Sequence, residues 1–171
     1  MLIESADAEQ VAAERVGLRE LVRDSVEGGS SIGFVLPFAH GELDEYVDLV
    51  IDQVARGSRV VVVARDGERV AGMAQLELSA KANARHRAEV QKVVVHSEYR
   101  RRGLARALMN EVERVARELG RTLLVLDTEQ GSPAEDLYVR CGYTKVGVIP
   151  RYAVMARGGL VATVVFFKDL S

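Results

Sequence analysis

Two hydrophobic periods alternate along this chain. Ala8–Val26 places Val11, Val16, Leu18, Leu21 and Val22 among charges, and Leu43–Ala55 places Leu43, Val47, Val50, Ile51 and Val54 on one face. Both spacings predict amphipathic helices. Gly28-Gly29 stops the first. Ser31–Phe38 between them, SIGFVLPF, mixes apolar residues with Gly and Pro and reads as a shaped loop. Runs rich in β-branched residues then predict strands at Arg59–Arg65 and Arg69–Leu78, joined by the hairpin signal Asp66-Gly67. Glu89–Val95 is a further strand, and Leu104–Leu119 is a helix ended by Gly120. Thr122–Asp127 is a buried strand, apolar until Asp127. Pro133–Cys141 is a short helix with Pro at its start and Gly142 past its end. Tyr143–Ile149 and Val161–Lys168 close the chain as strands, and Met1–Glu4 opens it as one.

This order predicts an α/β fold: a mixed, mostly antiparallel sheet with a central parallel strand pair, flanked by helices. The parallel pair is Glu89–Val95 with Thr122–Asp127, because one helix joins them. Ligands of such sheets sit at the carboxyl ends of the strands, where Val95 and Asp127 both fall. At 171 residues the chain is read as one domain, 1–171. Hydrophobic residues make up 48% and charged residues 28%, as in a globular protein. Net charge is −2, so no global basic field draws nucleic acid. A lone cysteine, Cys141, fits a reducing compartment. No apolar run approaches about 18 residues and the N-terminus lacks a signal-peptide pattern, so a cytoplasmic protein without a membrane span is expected.

Positive charge is local instead. Val93–Met109 reads VVVHSEYRRRGLARALM, a strand, a polar turn, three arginines, Gly103, Ala105 and a helix. A helix N-terminus carries unpaired N–H groups and the positive end of the helix dipole, so this loop suits phosphate. It lacks the Walker lysine and the G-x-G-x-x-G dinucleotide pattern. What remains is R-x-x-G-x-A, Arg100 to Ala105. In this setting it resembles the acetyl-CoA motif of the GNAT superfamily of N-acetyltransferases. The resemblance covers Val60–Lys168. Ala134–Tyr143, AEDLYVRCGY, is similar to the closing helix and strand of that superfamily. HRAEVQK at His86–Lys92, LDTEQGSPAE at Leu126–Glu135 and GYTKVG at Gly142–Gly147 resemble, more narrowly, the tabtoxin-resistance acetyltransferase group. Where many members carry Asn before the last helix, this chain has Gly131-Ser132.

The resemblance implies acetyl-CoA as cosubstrate, a small-molecule amine as acceptor and direct transfer in a ternary complex. An amino-acid-like toxin or antibiotic is the acceptor that the narrower group suggests. Donor contacts are expected from Val93, Val94 and Val95, from Arg100, Arg101, Arg102, Gly103, Leu104, Ala105 and Arg106, mostly through main-chain N–H groups, and from Ser132. Ser132 has a plain alternative as a helix cap. Glu89 and Asp127 are implied as bases that deprotonate or position the amine, and Tyr138 as the acid that protonates the CoA sulfur. The alternatives are a salt bridge from Glu89 to Lys92 or Arg87, a turn or cap role for Asp127, and plain packing for Tyr138. Cys141 reads as a small buried residue rather than a nucleophile. His40, His86 and His96 lack metal-ligand spacing, so no metal is expected. Acceptor contacts are expected from Ser31–Phe38, Ala80–Arg87 and Arg151–Arg157, with Phe34, Phe38 and Tyr152 as walls. Rival readings are a protein N-acetyltransferase, a CoA-binding module without catalysis, and a nucleic-acid module using the arginines. The assembly, monomer or homodimer, stays open.

Overall fold

A computed structural model describes residues 1–171. The strands are β1 (Leu2–Ala6), β2 (Arg59–Asp66), β3 (Arg69–Leu78), β4 (Arg87–Val95), β5 (Leu123–Glu129), β6 (Thr144–Val154) and β7 (Leu160–Asp169). The helices are α1 (Ala8–Ala13), α2 (Arg15–Glu27), α3 (Glu42–Ala55), α4 (Leu104–Glu118) and α5 (Pro133–Arg140). One seven-stranded sheet has the order β1-β2-β3-β4-β5-β7-β6. Every pair is antiparallel except β4 with β5. The parallel pair stands in the middle, as the α4 crossover requires. No helix is long and apolar enough to cross a membrane.

The predicted first helix is two helices. Asp7 and Gln10 form a reciprocal capping box that starts α1. The chain turns at Glu14, whose carboxylate is taken by Arg65 of β2. Val16, read from its spacing as part of the apolar face, is 64% exposed, because α2 restarts with its own phase. Gly17 lies against the sheet, where a Cβ would come within 2.6 Å of Val70 Cγ2.

The sheet separates two cores. On one face α4 and α5 cover Val62, Ala74, Leu76, Val90, Leu124, Leu126 and Phe166. On the other, α1–α3 cover Val61, Val63, Met73 and Val94. Residues of alternating parity therefore serve opposite layers, which is why these strands read as nearly continuous apolar runs. Helix α4 presses closely on the sheet. A Cβ on Gly72 would lie 2.9 Å from the Val94 carbonyl oxygen and 3.1 Å from Leu108 Cδ1. Leu108 is fully buried, so neither neighbour has room to yield. Gly72→Ala is expected to destabilise the fold by about 1–3 kcal/mol through overpacking, read as a lower urea midpoint at constant slope.

Candidate active site

The site begins where β4 leaves β5. These strands pair only over Arg87–Glu89 with Leu123–Val125. β4 stays bonded to β3 as far as Val95. A bulge lies where the strands part. Met73 faces Val94 and Gln75 faces Gln91, so Lys92 and Val93 stand opposite Ala74 alone. Lys92 carries the extra step at φ 50°, in the left-handed region. A bulge bends and twists its strand, here opening a gap in the middle of the sheet. It also inverts the alternation: Val90 belongs to the α4 side and Val94 to the α1–α3 side.

The gap exposes main chain. The His96 N–H donates to the Ala71 carbonyl of β3 at 2.9 Å. Alternation then turns the peptide groups of Val93 and Val95 toward the opposite edge, where β5 no longer pairs. Val94, expected to bind donor with them, does not share this position. It is 3% exposed in the α1–α3 core, and its register partner is Met73 of β3.

The arginine loop leads from this gap into α4. Gly103 caps the helix at φ 79°, and Arg101 is also left-handed at φ 64°. The first helical bond reaching back is Ala107 N–H to the Gly103 carbonyl, at 3.1 Å. The N–H groups of Leu104, Ala105 and Arg106 therefore point outward without intrahelical partners. This row fits a pyrophosphate through backbone rather than side chains. Leu104 buries its side chain in the core. Arg102 lies over the Tyr99 ring at 5.5 Å, and Arg100 Nε donates to the Val95 carbonyl at 3.1 Å. A Cβ on Gly103 would meet nothing, so its glycine answers to backbone conformation rather than crowding. Ser132 sits at the N-cap of α5 but makes no side-chain cap bond; its hydroxyl lies 3.2 Å from that of Thr128.

Asp24 of α2 ties this loop down. Its carboxylate accepts from the Ser97 N–H at 2.8 Å and the Ser97 hydroxyl at 2.6 Å, and Arg100 stands 3.8 Å away. Burial pushes the Asp24 carboxyl up, but the Ser97 bonds with His96 and Arg100 outweigh it and hold the carboxyl below its ordinary range. Nothing in the local pattern of α2 announces this contact.

Glu89 and Asp127 share a sheet face. Glu89 is level with Val125, and Asp127 follows two residues later, so both lie opposite the α4 layer. Half-buried Glu89 accepts from Gln91 Nε2 at 2.9 Å, and exposed Asp127 accepts from the Thr163 hydroxyl at 2.6 Å. The cap of α5 is Ser132, not Asp127. Tyr138 comes from the other layer. It is 6% exposed and packs on Tyr143 and Phe166. Burial first, then the charges of Asp127 and Cys141, push its hydroxyl well up, so it keeps its proton at neutral pH. Cys141 is also pushed up, by burial and Glu113, which removes the thiolate a nucleophile needs.

Beside the carboxylates lies a cavity of about 410 Å³ between α3, β4 and the loop around Gly33. Phe34, Tyr46, Arg59, Gln91 and Lys92 line it, with Glu42 and Glu45 of α3; Glu89 reaches it only through its bond from Gln91. Phe34 meets Tyr46 edge-on at 5.2 Å and Phe38 at 6.1 Å. Tyr152, expected as a wall, is 54% exposed on β6 and does not line it. Tyr46, Arg59, Gln91 and Lys92 were not found from the sequence. For Arg59, Gln91 and Lys92 the signal was a polar residue inside a strand, the same one that singled out Glu89; Tyr46, on α3, carried no such signal.

The acetyltransferase (GNAT) family model matches residues 31–143. Solved structures share the fold over nearly the whole length. A ribosomal-protein-alanine N-acetyltransferase from Brucella melitensis is 23% identical with a TM-score of 0.82, covering 99% of this chain and 100% of its own. A protein assigned as an acetyltransferase from Salmonella typhimurium, solved with its cofactor acetyl-CoA, is 21% identical with a TM-score of 0.80, covering 100% and 94%. One assigned as a phosphinothricin N-acetyltransferase is 19% identical with a TM-score of 0.81, covering 99% of each chain. The chain belongs to the GNAT family of acetyltransferases, enzymes that transfer acetyl from acetyl-CoA to an amine.

Proposed function

We propose that this enzyme acetylates the amine of a small molecule by direct transfer in a ternary complex, with Glu89 and Asp127 serving the amine and Tyr138 the leaving thiolate. The observation that carries this reading is the two-sided gap between β4 and β5. Two carboxylates border it on one face and a protonated tyrosine comes from the other layer. Acceptor and donor then approach from opposite sides of the sheet without competing for space.

Acetyl-CoA, when bound, supplies the acetyl thioester. The N–H groups of Leu104, Ala105 and Arg106 hold its pyrophosphate, helped by the side chains of Arg101 and Arg106. Val93 and Val95 offer peptide groups to its pantetheine arm, and one of their N–H groups polarises the acetyl carbonyl. A free alkylamine is mostly cationic at neutral pH and must lose a proton to attack. Glu89 and Asp127 hold the ammonium and take that proton, directly or through water. Tyr138 gives its own proton to the sulfur. Resemblance to the tabtoxin-resistance group, together with a cavity of about 410 Å³, favours an amino-acid-like acceptor, toxins and antibiotics among them.

Glu89→Gln and Asp127→Asn are each expected to lower kcat by roughly 10²–10⁴ while acetyl-CoA still binds. An unchanged rate across the pH profile in both variants would exclude the base assignment. Free-thiol release over an amine panel is the assay. Asp24→Asn tests the donor arm and should raise KM for acetyl-CoA by more than it lowers kcat. Because the folded Asp24 carboxyl is held low, its contribution is complete above the ordinary carboxylate value of about 3.9 and is lost as pH falls through the depressed one. The difference in stability between wild type and Asp24→Asn should therefore be flat above about pH 5 and shrink below about pH 4.

A further inference from the structure

Two cations line the acceptor cavity, and they are in opposite situations. Arg59 is held on every nitrogen, with four of its five N–H donors in use: Nε donates to Gln53 at 2.6 Å, Nη1 to Gln75 at 2.7 Å and Gln91 at 3.1 Å, and Nη2 to Glu77 at 3.0 Å. Lys92 is half-buried, yet its ammonium has neither a hydrogen bond nor an ion pair with any protein group. Its Nζ lies 6.0 Å from the centre of the Phe34 ring and 3.3 Å from where a Cβ on Gly33 would stand. Gly33, at φ 90°, keeps that approach open. The lysine also sits at the bulge in the left-handed region, at φ 50°. The bulge accounts for the backbone, but a desolvated ammonium with only an aromatic face near it and no anion is a cost with no return inside the free protein. Burial and Arg59 hold the Lys92 amine below its usual value, while Asp127, Glu89 and Glu77 act in the other direction without touching it.

We infer that the Lys92 ammonium is the recognition point for an anionic group on the acceptor, beside the amine that Glu89 and Asp127 receive. This rests on the function proposed above and narrows its substrate. Gap and cavity together then offer an alternating pattern: Glu89 and Asp127 at the gap for the acceptor's ammonium, Lys92 at the cavity for its carboxylate or similar anion, and Phe34 with Tyr46 for an apolar remainder. A zwitterionic amino acid matches that pattern, and a simple alkylamine leaves the buried cation unpaired. Arg59 acts through Gln91, which it orients, and its charge is already met by the Glu77 carboxylate.

The test compares matched acceptors within each protein: a panel of L-amino acids and the primary amide of each, with acetyl-CoA and free-thiol detection. Wild type is expected to favour acids over amides at least tenfold in kcat/KM, mainly through KM. Lys92→Gln should pull that ratio down at least tenfold, and Lys92→Glu should invert it, whereas Lys92→Arg should retain a preference for acids. The ratio is internal to each preparation, so partial loss of folded protein cancels. Amides acetylated as well as acids by wild type, or a ratio that survives Lys92→Gln, overturns the inference and leaves the proposed function standing. No turnover of any acid or amide overturns the inference; the proposed function falls with it only if the wider amine panel is also not turned over.

Discussion

One residue more in β4 than in β3 separates two strands that would otherwise pair to their ends. Lys92 and Val93 face Ala74 alone, and β4 parts from β5 after Glu89. Three properties of the site depend on that step. Peptide groups of Val93 and Val95 are left at an open edge in the middle of a sheet, where they would otherwise be consumed by a ladder. The side-chain phase changes, so that Gln91 and Lys92 both face the acceptor cavity. The strand ends in a direction that delivers the chain to the arginine loop at the N-terminus of α4.

The sheet divides the chemistry as well as the core. Glu89, Asp127, Lys92 and the cavity belong to the α1–α3 side, and Tyr138 to the α4–α5 side. In the proposed reaction, a proton taken from the amine and a proton given to sulfur are thus handled in different electrostatic surroundings. Tyr138 stays protonated because its ring is buried near Asp127. The carboxylates keep neutral or hydroxyl partners in Gln91 and Thr163 rather than permanent cations, which leaves them free to receive an ammonium. Asp24 couples the layers differently, holding the start of the arginine loop from α2, the helix that leads into the loop around Gly33 and Phe34.

Much of this was legible in the chain. The hairpin at Asp66-Gly67, the helix after Gly103 and the parallel pair around it follow from local period and crossover handedness. The free N–H row at α4 follows from Gly103 opening an amphipathic helix. Two errors share a cause. Glu14, where the first helix breaks, is held by Arg65, fifty-one residues away, and Val94 is turned by a bulge whose counterpart is in β3. The acceptor cavity escaped for the same reason: Tyr46, Arg59 and Lys92 come from three elements with no common motif.

The sequence by itself determined the elements, the family and the free N–H row that opens α4, because each depends on residues close together in the chain: periodicity, caps, and a loop that enters a helix. The tertiary structure decided where β4 leaves β5, which side chains meet in the cavity, and that Arg59 is occupied while Lys92 is not. Those outcomes are register and pairing, and both are set between strands rather than along them.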